Sequence, residues 1–213
     1  MGNSEGKLTI EPTGNGPYLV SNLENLRNSR GEAIETSPVI ALCRCGHSGN
    51  KPFCDGTHAK VGFSGDKLEG RVADRIDDYE GKEITIHDNR GVCSHAAHCS
   101  DDLPSVFMLG KEPWIDPNSA DAEEIATVIK MCPSGALSYT RRGVLYKDWD
   151  REPAITVSQD GPYRVVGSCV LKDPDGSEPE SKEHYTLCRC GGSKNKPFCD
   201  GTHWSIKFKD EKN

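Results

Sequence analysis

Two sets of cysteine and histidine residues have the types and spacing of metal ligands. Each set reads Cys-x-Cys, eight further residues, and Cys-x-x-x-His, with the members Cys43, Cys45, Cys54, His58 and Cys188, Cys190, Cys199, His203. The Cys-x-Cys pair alternates on an extended segment, whereas Cys54 and His58 stand four positions apart, which predicts one helical turn with both side chains on one face. Three thiolates and one imidazole suit either a tetrahedral zinc ion or an iron-sulfur cluster.

A third set, Cys93, Cys99 and Cys132, lies in the middle of the chain. The loop between the first two also contains His95 and His98. Residues 120–130 have apolar side chains at helical spacing with Asp121 as the N-cap, and Cys132-Pro133 is expected to end this helix. A short strand is predicted at residues 83–87.

The whole chain is organised around an internal repeat. CRCGHSGNKPFCDGTH begins at Cys43, and CRCGGSKNKPFCDGTH begins 145 positions later at Cys188. The same offset relates the two Gly-Pro-Tyr segments that end at Tyr18 and Tyr163. Residues 8–10, 18–20, 155–157 and 163–166 are rich in β-branched and aromatic side chains, which predicts strands around a Gly-Pro turn in each copy.

The composition favours several small modules over one large core. Apolar residues make up 34% of the chain, and there are 22 glycines and 13 prolines. Small modules often need disulfides or metals to hold them, and the ten cysteines could supply either. Because the segment MGNSEGKLTIEP has no apolar secretion signal, we expect a cytoplasmic protein that binds metal. We expect three modules, at residues 1–65, 66–150 and 151–213.

Net charge and hydropathy limit the partners. The formal net charge of −7 argues against a nucleic acid, whose phosphates are bound by lysine and arginine. No apolar run approaches the roughly 18 residues that span a bilayer, so we expect a soluble protein without a membrane partner.

The two terminal ligand sets resemble the signature of the CDGSH iron-sulfur (NEET) family, Cys-x-Cys-x2-Ser-x3-Pro-x-Cys-Asp-Gly-Thr-His. This resemblance implies a 2Fe-2S cluster in each module, with one iron held by Cys43 and Cys45 and the other by Cys54 and His58, and likewise in the second copy. It also implies that two modules pair across a β-sandwich. Two copies in one chain indicate an intramolecular pseudo-dimer, and therefore a monomer.

The middle segment resembles a divergent single-cluster ferredoxin domain. The likeness rests on Cys93, Cys99, the helix before Cys132-Pro133, and Pro113-Trp114-Ile115. Ala96 occupies the place where a 4Fe-4S ferredoxin carries its second cysteine, which favours a 3Fe-4S cluster on Cys93, Cys99 and Cys132. A fourth ligand from His95 or His98 would give a 4Fe-4S cluster, and a structural zinc is a further alternative.

The expected fold is α+β, with the outer β-rich modules packed together and a ferredoxin-like α+β domain inserted between them. The expected function is single-electron transfer with a redox partner protein. Cluster storage, cluster transfer to an apo-protein, or redox and pH sensing through the histidine ligands is the alternative, and a zinc-stabilised scaffold is a third. Since no nucleophile-base set, phosphate loop or nucleotide fingerprint is found, we do not expect an enzyme.

Overall fold

The regular elements are short, because turns rich in glycine and proline interrupt the apolar segments. A computed structural model describes residues 6–213, so the first five residues of the predicted module 1–65 lie outside the described residues. Within 6–213 the strands are β1 (Thr9–Pro12), β2 (Tyr18–Ser21), β3 (Leu26–Arg27), β4 (Val39–Leu42), β5 (Asp77–Glu80), β6 (Thr85–Asp88), β7 (Leu137–Arg141), β8 (Val144–Tyr146), β9 (Ala154–Val157), β10 (Tyr163–Val166), β11 (Val170–Leu171) and β12 (His184–Leu187). The helices are α1 (Thr57–Lys60), α2 (His98–Asp102), α3 (Ala122–Lys130) and α4 (Thr202–Ser205), with a 3-10 turn at Arg90–Val92.

The two terminal repeats exchange edge strands. One sheet has the order β11-β1-β2-β4 and the other has the order β12-β10-β9-β3. Strand β11 of the second repeat runs parallel to β1 of the first, and β3 of the first repeat runs parallel to β9 of the second. Each sheet is therefore completed by a strand from the other repeat, and neither repeat forms its sheet alone.

A single apolar core lies between these two sheets. It contains fully buried residues from both repeats, among them Ile10 and Val20 from the first and Val157 and Val165 from the second. Burial of each such side chain stabilises the folded state by about 1.5–3 kcal/mol. The rings of Tyr18 and Tyr163 meet edge to face at 6.1 Å between centroids. The predicted α+β class and the intramolecular pseudo-dimeric β-sandwich are confirmed.

The central segment forms its own antiparallel sheet, in the order β5-β6-β7-β8. Helix α3 packs on this sheet through Ile125 and Ile129, which are both fully buried. The Asp121 carboxylate caps the helix by accepting a hydrogen bond from the backbone N–H of Glu123 at 2.8 Å, as predicted. The helix begins two residues later than expected, and the strand expected at residues 83–87 is β6.

One local prediction is wrong: Cys54 and His58 do not share a helix. Helix α1 begins only at Thr57, so Cys54 precedes it. The Asp55 carboxylate accepts hydrogen bonds from the backbone N–H groups of Thr57 at 3.0 Å and Gly49 at 2.8 Å. Gly56 then takes a φ of +84°, a left-handed conformation that suits glycine, before the helix starts. The chain must fold back towards Gly49 first, which leaves Cys54 in the loop.

Among residues 6–213, no helix is both long enough and apolar enough to span a bilayer.

Candidate metal centres

In both terminal sites, the predicted ligands come together in pairs. The sulfurs of Cys43 and Cys45 lie 3.7 Å apart, and those of Cys188 and Cys190 also lie 3.7 Å apart. Two thiolates bound to one tetrahedral metal with bonds of about 2.3 Å would be separated by about 3.8 Å. Each Cys-x-Cys pair therefore has the spacing needed to hold one metal ion.

The cysteine-histidine pairs show matching geometry. Nδ1 of His58 lies 3.3 Å from the sulfur of Cys54, and Nδ1 of His203 lies 3.4 Å from the sulfur of Cys199. Thus Nδ1 is the ring nitrogen next to the thiol in both sites. Within residues 6–213, no three histidine, cysteine or acidic side chains come close enough together to share a single ion. The ligand distances thus divide each terminal set into one Cys–Cys pair and one Cys–His pair.

Backbone N–H groups point at the ligand sulfurs and would stabilise thiolates. The N–H groups of His47, Gly56 and Gly192 lie 3.4 Å from the sulfurs of Cys45, Cys54 and Cys190, respectively. Without metal, burial raises the pKa of the Cys45 thiol to about 11. A bound metal must displace this proton, so metal binding is coupled to proton release.

The two ligand loops are braced alike by a buried serine. The Ser48 hydroxyl donates to the carbonyl oxygen of Phe53 at 2.6 Å and accepts from the backbone N–H of Asn50 at 3.0 Å. Ser193 makes the equivalent bonds in the second loop, at 2.7 and 3.1 Å. The spacing between the Cys-x-Cys pair and the Cys-x-x-x-His pair is therefore fixed by the loop itself in each repeat.

A tyrosine from each repeat supports the ligand loop of the other. The Tyr18 hydroxyl lies 2.8 Å from the carbonyl oxygen of Cys188 and 2.9 Å from that of Pro197. The Tyr163 hydroxyl lies 3.0 Å from the carbonyl oxygens of both Cys43 and Pro52. Sequence reasoning found the repeated Gly-Pro-Tyr segments but missed this role, since spacing along the chain does not show which repeat a side chain contacts.

The arginine inside each Cys-x-Cys motif braces the module and is buried. Arg44 donates to the carbonyl oxygens of Thr13 and Gly14 at 3.3 and 3.2 Å, and its guanidinium lies 4.9 Å from the Tyr18 ring centroid. Arg189 forms a buried ion pair with Asp210. Both arginines are therefore shielded from solvent.

The two terminal sites differ in exposure, although their motifs are almost identical. Cys54 and His58 are half-buried, whereas Cys199 and His203 are only 2% and 6% exposed. The second site is covered by the central segment. Its Asn195 side chain donates to the carbonyl oxygen of Gly91 at 2.7 Å, whereas the equivalent Asn50 is exposed.

The three central cysteines line one cavity of about 120 Å³. Burial, together with the nearby Cys132 and Cys93, raises the pKa of the Cys99 thiol to about 11. The guanidinium of Arg90 lies 3.5 Å from the Cys93 sulfur, where it can offset thiolate charge. The buried Ser94 hydroxyl also lines the cavity and has no hydrogen-bond partner within the described part of the chain. This donor set and this spare hydroxyl fit a bound cluster.

Both candidate fourth ligands of the central site, His95 and His98, line the same cavity. The His95 ring also packs against Gly201 of the second repeat. Nδ1 of His98 lies 3.8 Å from a carboxylate oxygen of Asp102, which is too far for a hydrogen bond.

Comparison with known proteins agrees with this geometry. A family described as "Iron-binding zinc finger CDGSH type" matches residues 15–59 and again residues 160–204. A family described as "Divergent 4Fe-4S mono-cluster" matches residues 79–142. The uncharacterised protein YjdI of Escherichia coli K12 is 36% identical over 64 residues, which cover 30% of this chain and 84% of that protein. YjdI of Escherichia coli O157:H7 matches equally well. No solved structure matches the chain significantly.

The paired ligands and the matched domains define an iron-sulfur protein. More closely, the chain carries two CDGSH domains that flank a divergent 4Fe-4S mono-cluster domain.

Proposed function

We propose that this protein carries single electrons on two 2Fe-2S clusters and one 3Fe-4S or 4Fe-4S cluster. The observation that carries the proposal is the arrangement of each terminal ligand set as two pairs, at 3.7 Å and 3.3–3.4 Å, because each pair can hold one of two irons. Such clusters exchange one electron at a time, at potentials set by ligand charge, hydrogen bonds and exposure.

The protein holds these sites rigidly, which suits repeated electron transfer. Buried serine and tyrosine hydroxyls fix the ligand loops, and backbone N–H groups lie against the sulfurs. A neutral imidazole in place of a fourth thiolate raises the reduction potential of each terminal site relative to a four-cysteine site. A four-iron form of the central site would take its fourth ligand from His95 or His98, which both line the cavity.

We also propose an oligomeric state, a type of partner and a cellular location for this protein. It is a monomer, because each repeat already supplies the strand that completes its neighbour's sheet. It acts with a protein redox partner and not as an enzyme, a nucleic-acid-binding protein or a membrane protein. A cytoplasmic location fits the ten cysteines, none of which forms a disulfide within the described residues.

The test is to count iron, acid-labile sulfide and zinc per chain in anaerobically purified protein, with electron paramagnetic resonance (EPR) spectra before and after reduction by dithionite. About seven irons with an oxidised 3Fe-4S signal, or about eight irons without it, would support the proposal. Loss of the eighth iron in His98→Ala but not in His95→Ala would assign the fourth ligand. Three zinc ions without sulfide would refute electron transfer.

The second candidate function is cluster transfer, favoured by the half-exposed Cys54 and His58 of the first site. Incubation with an apo-ferredoxin separates the two functions. Loss of the visible spectrum from this protein with gain by the acceptor would favour transfer. Reversible reduction without such loss would favour electron carriage.

A further inference from the structure

The loop that carries Cys93 packs directly on the ligand loop of the second CDGSH site. A methyl group added to Gly201 would lie 2.2 Å from Cδ2 and 2.9 Å from Cγ of His95, so the imidazole rests on that backbone. The indole N–H of Trp204 donates to the carbonyl oxygen of His95 at 3.1 Å. His95 lies two residues from Cys93, and Trp204 directly follows the ligand His203. These contacts join the two metal centres through a short stretch of protein.

Two further hydrogen bonds join the central segment to the ligand loop of the second CDGSH site. The Asn195 side chain donates to the carbonyl oxygen of Gly91, next to the central site, at 2.7 Å. The backbone N–H of Leu68 donates to the carbonyl oxygen of Lys194 at 2.8 Å. The second CDGSH loop is therefore fixed to the central segment at several points.

The first CDGSH site lacks this contact. Gly56, the counterpart of Gly201, has nearly the same φ, +84° against +83°. A methyl group on Gly56, however, would meet no atom of residues 6–213 within 4 Å. The counterpart of Trp204 is the exposed Ala59. The central segment thus covers one of two almost identical sites.

The two CDGSH sites touch each other through their backbones. Cys45 and Cys190 form an antiparallel bridge. A methyl group on Gly46 would lie 2.6 Å from the carbonyl oxygen of Cys190, and one on Gly191 would lie 2.5 Å from that of Cys45. Because only glycine fits at these positions, the ligand loops can approach closely.

We propose that these contacts make an ordered electron path, in which the second CDGSH site lies between the central site and the first CDGSH site. His95, Gly201 and Trp204 form the first junction, and Cys45 and Cys190 form the second. An electron passing between fixed centres travels fastest over the shortest distance, so the central and first sites exchange through the second. The half-exposed first site is the end that meets an external one-electron partner.

This path rests on the proposed electron-transfer function. Each step oxidises one site by one electron and reduces the next by one electron, and no bond is made or broken. The electron is supplied from outside by a one-electron reductant, for which dithionite serves in the test.

The test compares two variants, each of which lacks one ligand. Cys54→Ala should lose the first CDGSH cluster and keep the second, and Cys199→Ala should lose the second and keep the first. Both are reduced with dithionite, and the microwave power that saturates the remaining 2Fe-2S signal is measured by EPR. The signal in Cys54→Ala should need a several-fold higher power, because the neighbouring reduced central site is paramagnetic and speeds its relaxation. Adding Cys132→Ala, which removes a central ligand, should abolish this difference.

Equal saturation in Cys54→Ala and Cys199→Ala would overturn the ordered path while leaving electron transfer intact. Absence of any iron-sulfur signal in the unaltered protein would instead remove the proposed function. Should either single-site variant fail to fold, Cys132→Ala in the otherwise unaltered chain gives the same test. It should slow relaxation of one CDGSH signal more than the other, and an equal effect on both would refute the path.

Discussion

Tyr18 and Tyr163 each support the ligand loop of the other repeat, and this arrangement gives a prediction that the sequence alone does not. Tyr18→Phe removes a fully buried hydroxyl 2.8 Å from the carbonyl oxygen of Cys188 and leaves the ring in the core. Although Tyr18 belongs to the first repeat, the loosened site should be the second. Tyr163→Phe should loosen the first site in the same way, because its hydroxyl lies 3.0 Å from the carbonyl oxygen of Cys43.

The size of the effect follows from the bonds that remain. The Pro197 carbonyl keeps its hydrogen bond from the backbone N–H of Cys188 at 2.9 Å, so the loss falls mainly on the Cys188 carbonyl. A buried acceptor left without its partner costs about 1–3 kcal/mol. If the ligand loop must open before the cluster is lost, a cost of about 1–3 kcal/mol raises the open fraction by about 5–150-fold.

The assay follows the loss of cluster absorbance in a chelator at fixed pH, in backgrounds that retain one CDGSH site. Tyr18→Phe should speed the loss in Cys54→Ala, which keeps the second site, and have little effect in Cys199→Ala. Tyr185→Phe is the matched control, because its buried hydroxyl donates to the Cys169 carbonyl at 3.3 Å, away from either ligand loop. Faster loss from the first site in Tyr18→Phe, or equal acceleration in Tyr185→Phe, would refute the reasoning.

Three further predictions concern the central segment and its interface. Gly56→Ala and Gly201→Ala should each lower the free energy of unfolding by about 1–2 kcal/mol, because each glycine has a left-handed backbone conformation. Gly201→Ala should lower it more, because the added methyl group clashes with His95. In urea unfolding, the additional substitution His95→Ala should remove this extra loss. Burial raises the pKa of Asp88 to about 6, although the positive charge of Arg90 acts to lower this pKa. The folded protein therefore keeps a proton on Asp88 at pH values where the unfolded chain, with an aspartate pKa near 4, has lost it. The free energy of unfolding should therefore fall by about 2 kcal/mol as the pH rises from about 4 to about 6, and urea titrations of Asp88→Asn should lack this fall. Asp121→Ala should destabilise the protein by about 1 kcal/mol in thermal unfolding, whereas Asp121→Ser, which can still cap α3, should cost less.

Much of the ligand chemistry could be predicted from local sequence. Cys43 and Cys45 alternate, so their sulfurs can reach one ion whatever the rest of the chain does. Asp121 caps α3 through a contact two residues away, and such contacts depend on few other parts of the molecule. The helical face predicted for Cys54 and His58 was wrong, because the hydrogen bond from the Gly49 N–H to Asp55 holds the loop open until Gly56.

The sequence by itself determined the repeat and the candidate ligand sets, because these depend on residue types at short spacing, whereas the choice of an iron-sulfur cluster over zinc came from the family resemblance. Only the tertiary structure decided which repeat Tyr18 supports and which CDGSH site the central segment covers. The two motifs differ at only two of 16 positions, so local spacing cannot distinguish them. The choice is made by contacts between residues that are distant in the sequence, such as those of His95 with Gly201 and Trp204. These contacts depend on how the central segment packs on the second repeat, which residue types at short spacing do not specify.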